Sequence, residues 1–129
     1  MNGRYLVDTS VLVELLRGTT RLTLPTEAEF IVCVIALGEL YYGALAARRP
    51  DHQLQQLIQF LSGYSILHTS DAVAIAYSEL KCALKEQGTP IPENDIWIAA
   101  FAKTYQMPLL TRDMHFQHVT ALGVEVVFV

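Results

Sequence analysis

The chain has 129 residues, 52% of them hydrophobic, and a formal net charge of −4 at pH 7. A chain of this size buries roughly two-thirds of its unfolded surface, so a single domain over residues 1–129 is expected, and no apolar run of about 18 residues offers a membrane span. The negative balance argues against non-specific nucleic-acid binding by bulk electrostatics, but not against an enzyme that meets phosphate through a bound cation.

The first apolar run, Arg4–Val7, reads as a strand, and a helical pattern over Asp8–Arg17 stops at Gly18. Asp8 and Glu14 break this apolar stretch, and it has no small-residue cleavage site, so it is not read as a signal peptide. Phe30–Val34 is apolar throughout, as a strand covered on both faces should be. Helices are expected over Ile35–Arg49, ending before Pro50, and over Asp51–Leu61, ending near Gly63. Tyr64–Leu67 is the third strand. Ser70 then caps a helix over Asp71–Gln87 that Gly88 closes. The segment "QGTPIPEN" is a loop, and Asn94 is placed as the cap of a helix over Asp95–Tyr105. That helix carries Trp97, Ile98, Phe101, Ala102 and Tyr105 on one face. Pro108–Leu110 is the fourth strand, and Val124–Val129, where Glu125 interrupts the apolar run, suits an edge strand. Strands alternating with helices mean βαβ units and a largely parallel sheet. Cys33 and Cys82 are read as free buried thiols, which fits a reducing, cytoplasmic setting.

Four acids stand out against this frame. Asp8 follows the first strand, and Asp113, in "PLLTRDMHF", follows the fourth. Open α/β sheets bind ligands beyond the carboxyl ends of their strands, where strand order reverses. In a 3-2-1-4-5 order that point lies between Asp8 and Asp113. Asp95 falls in the first turn of its helix, where the helix dipole favours a carboxylate. Glu39 sits in "VIALGELYYGALAA" among Leu37, Leu40, Tyr41 and Tyr42, with no basic residue one turn away to pair with it. Each acid has an ordinary explanation when taken singly: capping for Asp8, the dipole for Asp95, a post-strand turn for Asp113. Clustered without bases, they would repel one another and raise at least one pKa, a penalty that a divalent cation removes. Oxygen-only ligands point to Mg²⁺ or Mn²⁺ and not to zinc.

"YLVDTSVLVELLRG", "VIALGELYYGA", "IPENDIWIAAFA" and "LLTRDMHF", in this order and at these spacings, resemble the PIN-domain nucleases. Within that family they are most similar to the VapC-type toxins of bacterial toxin–antitoxin pairs. The resemblance runs from residue 4 to the C-terminus. It implies a three-layer PIN-like α/β domain with a five-stranded parallel sheet between helices. It also implies a Mg²⁺-dependent endoribonuclease that leaves a 5′-phosphate. Carried over by motif, Asp8, Glu39, Asp95 and Asp113 are its four acids. Asp113 stands where some relatives have Asn. Thr9, Ser10 and Thr111 fall where hydroxyls often flank the metal, and Ala36 departs from a frequent threonine. Glu39 is left with two possible roles, holding a second metal or ordering the attacking water. A homodimer covered by a small VapB-type antitoxin is implied as well.

Competing readings lack residues. Haloacid-dehalogenase-like phosphotransferases want a second Asp two positions after the first, where Ser10 stands. Receiver domains want a lysine late in a strand, whereas Lys81, Lys85 and Lys103 all lie on expected helices. A PIN ribonuclease of RNA processing, or a silent PIN module that only binds RNA or protein, remains as an alternative. The His115/His118 pair is not read as a zinc site, for want of further nitrogen or sulfur ligands nearby. Arg17, Arg48, Arg49 and Arg112 are read as solvated side chains, and Tyr41, Tyr42 and Trp97 as packing residues more than base-stacking ones.

Overall fold

A computed structural model describes residues 3–22 and 27–129. Its elements run β1 (Arg4–Val7), α1 (Thr9–Arg17), β2 (Glu29–Cys33), α2 (Val34–Leu45), α3 (Pro50–Leu61) and β3 (Ser65–Leu67). Then come α4 (Asp71–Gln87), α5 (Glu93–Tyr105), β4 (Leu109–Thr111), a 3₁₀ segment (Met114–Leu122) and β5 (Val126–Phe128).

All strand pairs are parallel, as the alternating pattern predicts, and the order is the expected β3-β2-β1-β4-β5 of a PIN-like sheet. From β1 the chain builds outward through β2 and β3, then returns to place β4 on the other flank of β1. The reversal point therefore lies between β1 and β4, where Leu6 pairs with Leu109 and Val7 with Leu110. Leu6, Val7, Ile31, Val32, Leu109 and Leu110 are fully buried, which accounts for their unbroken apolar runs. β5 forms one edge of the sheet.

Local chemistry sets most of the boundaries. Gly18 and Gly88 end α1 and α4 in the left-handed conformation, at φ 72° and 73°. Ser70 caps α4, its hydroxyl accepting from the Val73 amide. Several expectations shift by a residue or more. The second helical run stops at Leu45, and Pro50 opens α3 at its first position instead of standing outside it, because the N–H it lacks would be unpaired there anyway. Asn94 is not a cap. Pro92 holds that place and α5 begins at Glu93. The same helix ends at Gln106 in the left-handed conformation (φ 53°), a stop with no glycine to announce it. The 3₁₀ segment was not foreseen, and it buries Phe116 and Val119.

The expected single apolar face of α5 is too narrow. Ile96, Ile98, Ala99, Ala100, Phe101 and Ala102 are all buried, so this helix is enclosed nearly all round, while Tyr105 is exposed. Trp97 stacks flat on Tyr77 of α4 at 3.9 Å between ring centroids. Tyr42, in contrast to the packing role expected, is 75% exposed. Cys33 is buried, and burial pushes its thiol up to about 11. Cys82 is exposed, contrary to expectation, because it points off the outer face of α4. Among the described residues no helix is long and apolar enough to cross a membrane.

Candidate active site

The site forms where β1 and β4 end side by side. Asp8 is the first residue after β1 and takes the cap position of α1, but its side chain makes no capping hydrogen bond. Two hydroxyls occupy it instead. Ser10 Oγ donates to Asp8 Oδ2 at 2.7 Å, and Thr111 Oγ1 donates to the same oxygen at 2.8 Å. Asp8 is 3% exposed. Burial pushes its carboxyl above the ordinary value, while the Ser10 and Thr111 hydroxyls and the Thr9 and Ser10 amides at the start of α1 hold part of that rise back.

Thr111, the last residue of β4 and itself buried, does two jobs with one hydroxyl. It donates to Asp8 and accepts the Asp113 backbone N–H at 2.9 Å. The Asp113 side chain then caps the 3₁₀ segment by accepting the His115 N–H at 2.9 Å. Ser10 extends the same network by accepting the Arg112 N–H at 3.1 Å.

Asp95, in the first turn of α5, faces Asp113 across the cleft. One carboxylate oxygen from each, together with His115 Nδ1, forms a group of three candidate ligand atoms all within 4.8 Å of one another. Asp95 is pushed up to about 6, first by burial and then by the charges of Asp8 and Asp113; His115 opposes the rise and Glu39 adds to it. The four acids are therefore electrically one cluster. Its tight core, however, is Asp95, Asp113 and His115, and Asp8 and Glu39 flank it without supplying an atom to that core.

Glu39 finds the partners that its apolar neighbourhood called for. Thr9 Oγ1 donates to its Oε1 at 2.6 Å, and Asn94 Nδ2 donates to its Oε2 at 3.3 Å. Thr9, Ser10 and Thr111, the hydroxyls that the family resemblance picks out, thus each donate to an acid. Two contributors were missed. Asn94 had been placed as a cap, but its amide goes to Glu39. His115 had been considered only with His118, whereas the fold turns it back onto Asp113. The "DMH" spacing was the available signal, since a cap residue and the second residue after it meet in a tight turn. Arg112 is engaged elsewhere, with Glu14 at 2.8 Å and Thr20 at 2.9 Å.

Carboxylate-rich, partly desolvated and short of fixed cations, this donor set fits a divalent metal ion: ligation removes the mutual repulsion that lifts Asp95. A shallow groove of about 590 Å³ adjoins it, lined by Val34, Ile35, Gly38, Glu39, Tyr42 and Asn94.

Comparison with known proteins agrees with this fold. Residues 5–122 match the PIN domain family. The chain is 30% identical over 127 residues to Ribonuclease VapC2 of Haemophilus influenzae, covering 95% of this chain and 96% of that protein. It is 34% identical over 114 residues to Ribonuclease VapC4 of Mycobacterium tuberculosis, covering 85% and 86%. Among solved structures, VapBC-5 of the VapBC family of toxin–antitoxin systems, from Mycobacterium tuberculosis, superposes with a TM-score of 0.81. That match has 28% identity and covers 98% of this chain and 99% of the other. DNA-bound VapBC from Salmonella typhimurium shares the fold with a TM-score of 0.87 at 23% identity, covering 97% of each chain.

Proposed function

The chain belongs to the PIN-domain family, and from that premise we propose that it is a Mg²⁺-dependent endoribonuclease acting as the toxin of a VapC-type toxin–antitoxin pair. The observation that carries the reading is the convergence of Asp95 and Asp113, flanked by Asp8 and Glu39, at the reversal point of the sheet. Similarity to ribonucleases over nearly the whole chain supports RNA as the substrate, and likeness to a toxin–antitoxin structure supports a VapB-type antitoxin as partner.

In this reading Asp95, Asp113 and Asp8 hold the cation, which is Mg²⁺ or Mn²⁺. When bound, it neutralises a scissile phosphate and lowers the pKa of water. The chain's own residues supply the rest. Ser10 and Thr111 fix the Asp8 carboxylate, so its orientation is set before substrate arrives. Glu39, tied at both oxygens by Thr9 and Asn94, is a fixed acceptor that orders the attacking water. The negative chain approaches RNA because the cation, and not a basic surface, receives the phosphate. The 129 residues act as a single PIN domain, as a cytoplasmic homodimer that the antitoxin covers.

The test is cleavage of total RNA by antitoxin-free protein, with Mg²⁺ or with EDTA, beside Asp8→Asn. Discrete fragments that need the cation and vanish in the variant are expected. Equal cutting by both proteins, or RNA binding with no cutting by either, overturns the proposal.

A further inference from the structure

Among the described residues His115 is the imidazole grouped with the acids of this site, and three observations describe how it is held. Its Nδ1 lies 2.9 Å from Asp113 Oδ1 and 3.4 Å from Asp95 Oδ2. Its backbone N–H is anchored on the same Asp113 oxygen at 2.9 Å, which turns the imidazole back over the cleft. The side chain is 51% exposed, against 13% for Asp95, so it lies on the solvent side of the site and fills no core position.

These spacings suit adjacent corners of one octahedral cation, whose donor atoms stand about 3 Å apart at ordinary metal–oxygen distances. We propose that His115 is a nitrogen ligand of this cation site and biases it toward Mn²⁺ over Mg²⁺; the inference rests on the metallonuclease reading above. Mg²⁺ is a hard ion that keeps oxygen ligands and sheds water reluctantly, so an imidazole gains it little. First-row transition ions accept imidazole nitrogen readily, and a mixed set of two carboxylates and one imidazole favours them. With a cation bound, Nδ1 would offer its lone pair and Nε2 would carry the N–H.

The rival role for His115 is a plain counter-charge, sharing hydrogen bonds with Asp95 and Asp113 and competing with any cation. The two roles predict opposite signs. A ligand strengthens Mn²⁺ binding, so its removal weakens that binding. A competitor weakens binding of every cation, so its removal strengthens all of them.

Metal-free protein would be titrated with Mn²⁺ and with Mg²⁺ by calorimetry, as wild type, His115→Ala, His115→Gln and His118→Ala. Mn²⁺ spin-echo spectra would be recorded in parallel for modulation by a directly bound nitrogen. The expected result is nitrogen modulation in wild type and His118→Ala that is lost in both His115 variants. Mn²⁺ affinity should fall at least about tenfold in those variants, with Mg²⁺ affinity moving by less than about threefold. Absence of nitrogen modulation in wild type, or equal changes for the two ions, overturns the ligand role while leaving the metallonuclease reading standing. Failure of wild type to bind either ion overturns both. Circular dichroism confirms that the exposed substitutions leave the fold intact.

Discussion

The two corners of the acid cluster solve the same electrostatic problem by different means. At the Asp8 corner the carboxylate is almost wholly buried, and neutral hydroxyls from Ser10 and Thr111 satisfy it. At the Asp95–Asp113 corner no hydroxyl among the described residues reaches Asp95. Its charge faces other carboxylates, and among the described residues His115 stands against the repulsion. Hydrogen bonds settle a charge's orientation, whereas unrelieved repulsion leaves it an affinity for an outside cation. The first corner gives the site its shape, and the second gives it its appetite.

Substitutions can break this division of labour. The largest effect is expected from Asp95→Asn and Asp113→Asn, each lowering Mg²⁺-dependent RNA cleavage by about 10³-fold. Initial rates measured against Glu14→Gln, which removes only the ion pair to Arg112, would check it. Next comes Thr111→Val at the other corner. It strips a donor from Asp8 and an acceptor from the Asp113 amide, and should cost about 1–3 kcal/mol of stability. Thr111→Ser should recover most of it in chemical denaturation.

The two corners also part company in their response to pH. The folded-state value of Asp95 is raised from 3.8 to about 6, so its contribution is fully present below pH 3.8 and is lost as the pH rises through about 6. In EDTA the melting temperature should therefore fall as the pH rises from about 4 to about 6.5, by on the order of a few °C. Mg²⁺ should reverse that fall, and Asp95→Asn should abolish it. A melting temperature flat across that window in EDTA would show that the repulsion is relieved within the chain. The smallest effect is expected for Thr9→Val, which frees one oxygen of Glu39. Cleavage should drop about tenfold, and stability should change by less than about 1 kcal/mol.

The acids that lie next to strands were legible in the sequence, because a strand end fixes both the place and the direction of the residue that follows it. Asp8 after β1 and Asp113 after β4 are of this kind, and the parallel order follows from the alternation of apolar runs and helical patterns. Glu39 and Asp95 stood out on weaker grounds, an apolar neighbourhood without a base and a place in the first turn of a helix, and the family resemblance strengthened both. Asn94 and His115 were harder to read, since each takes its role from a bond across the fold. Asn94 reaches Glu39, 55 positions away, and His115 reaches Asp95 from a 3₁₀ segment that has no strong periodicity. Gln106 was hidden for a different reason: its left-handed stop uses a residue that does not advertise one.

The Thr111 hydroxyl has one more consequence. It binds Asp8 across 103 positions of sequence and steadies Asp113 at the same time. Half of a growing chain therefore contains Asp8 and Glu39 but no cleft, because β4 has yet to be made and set against β1. The acids become one set only when β4 has docked against β1. Completing the site is thereby tied to completing the sheet, with the delay written into the order of its strands.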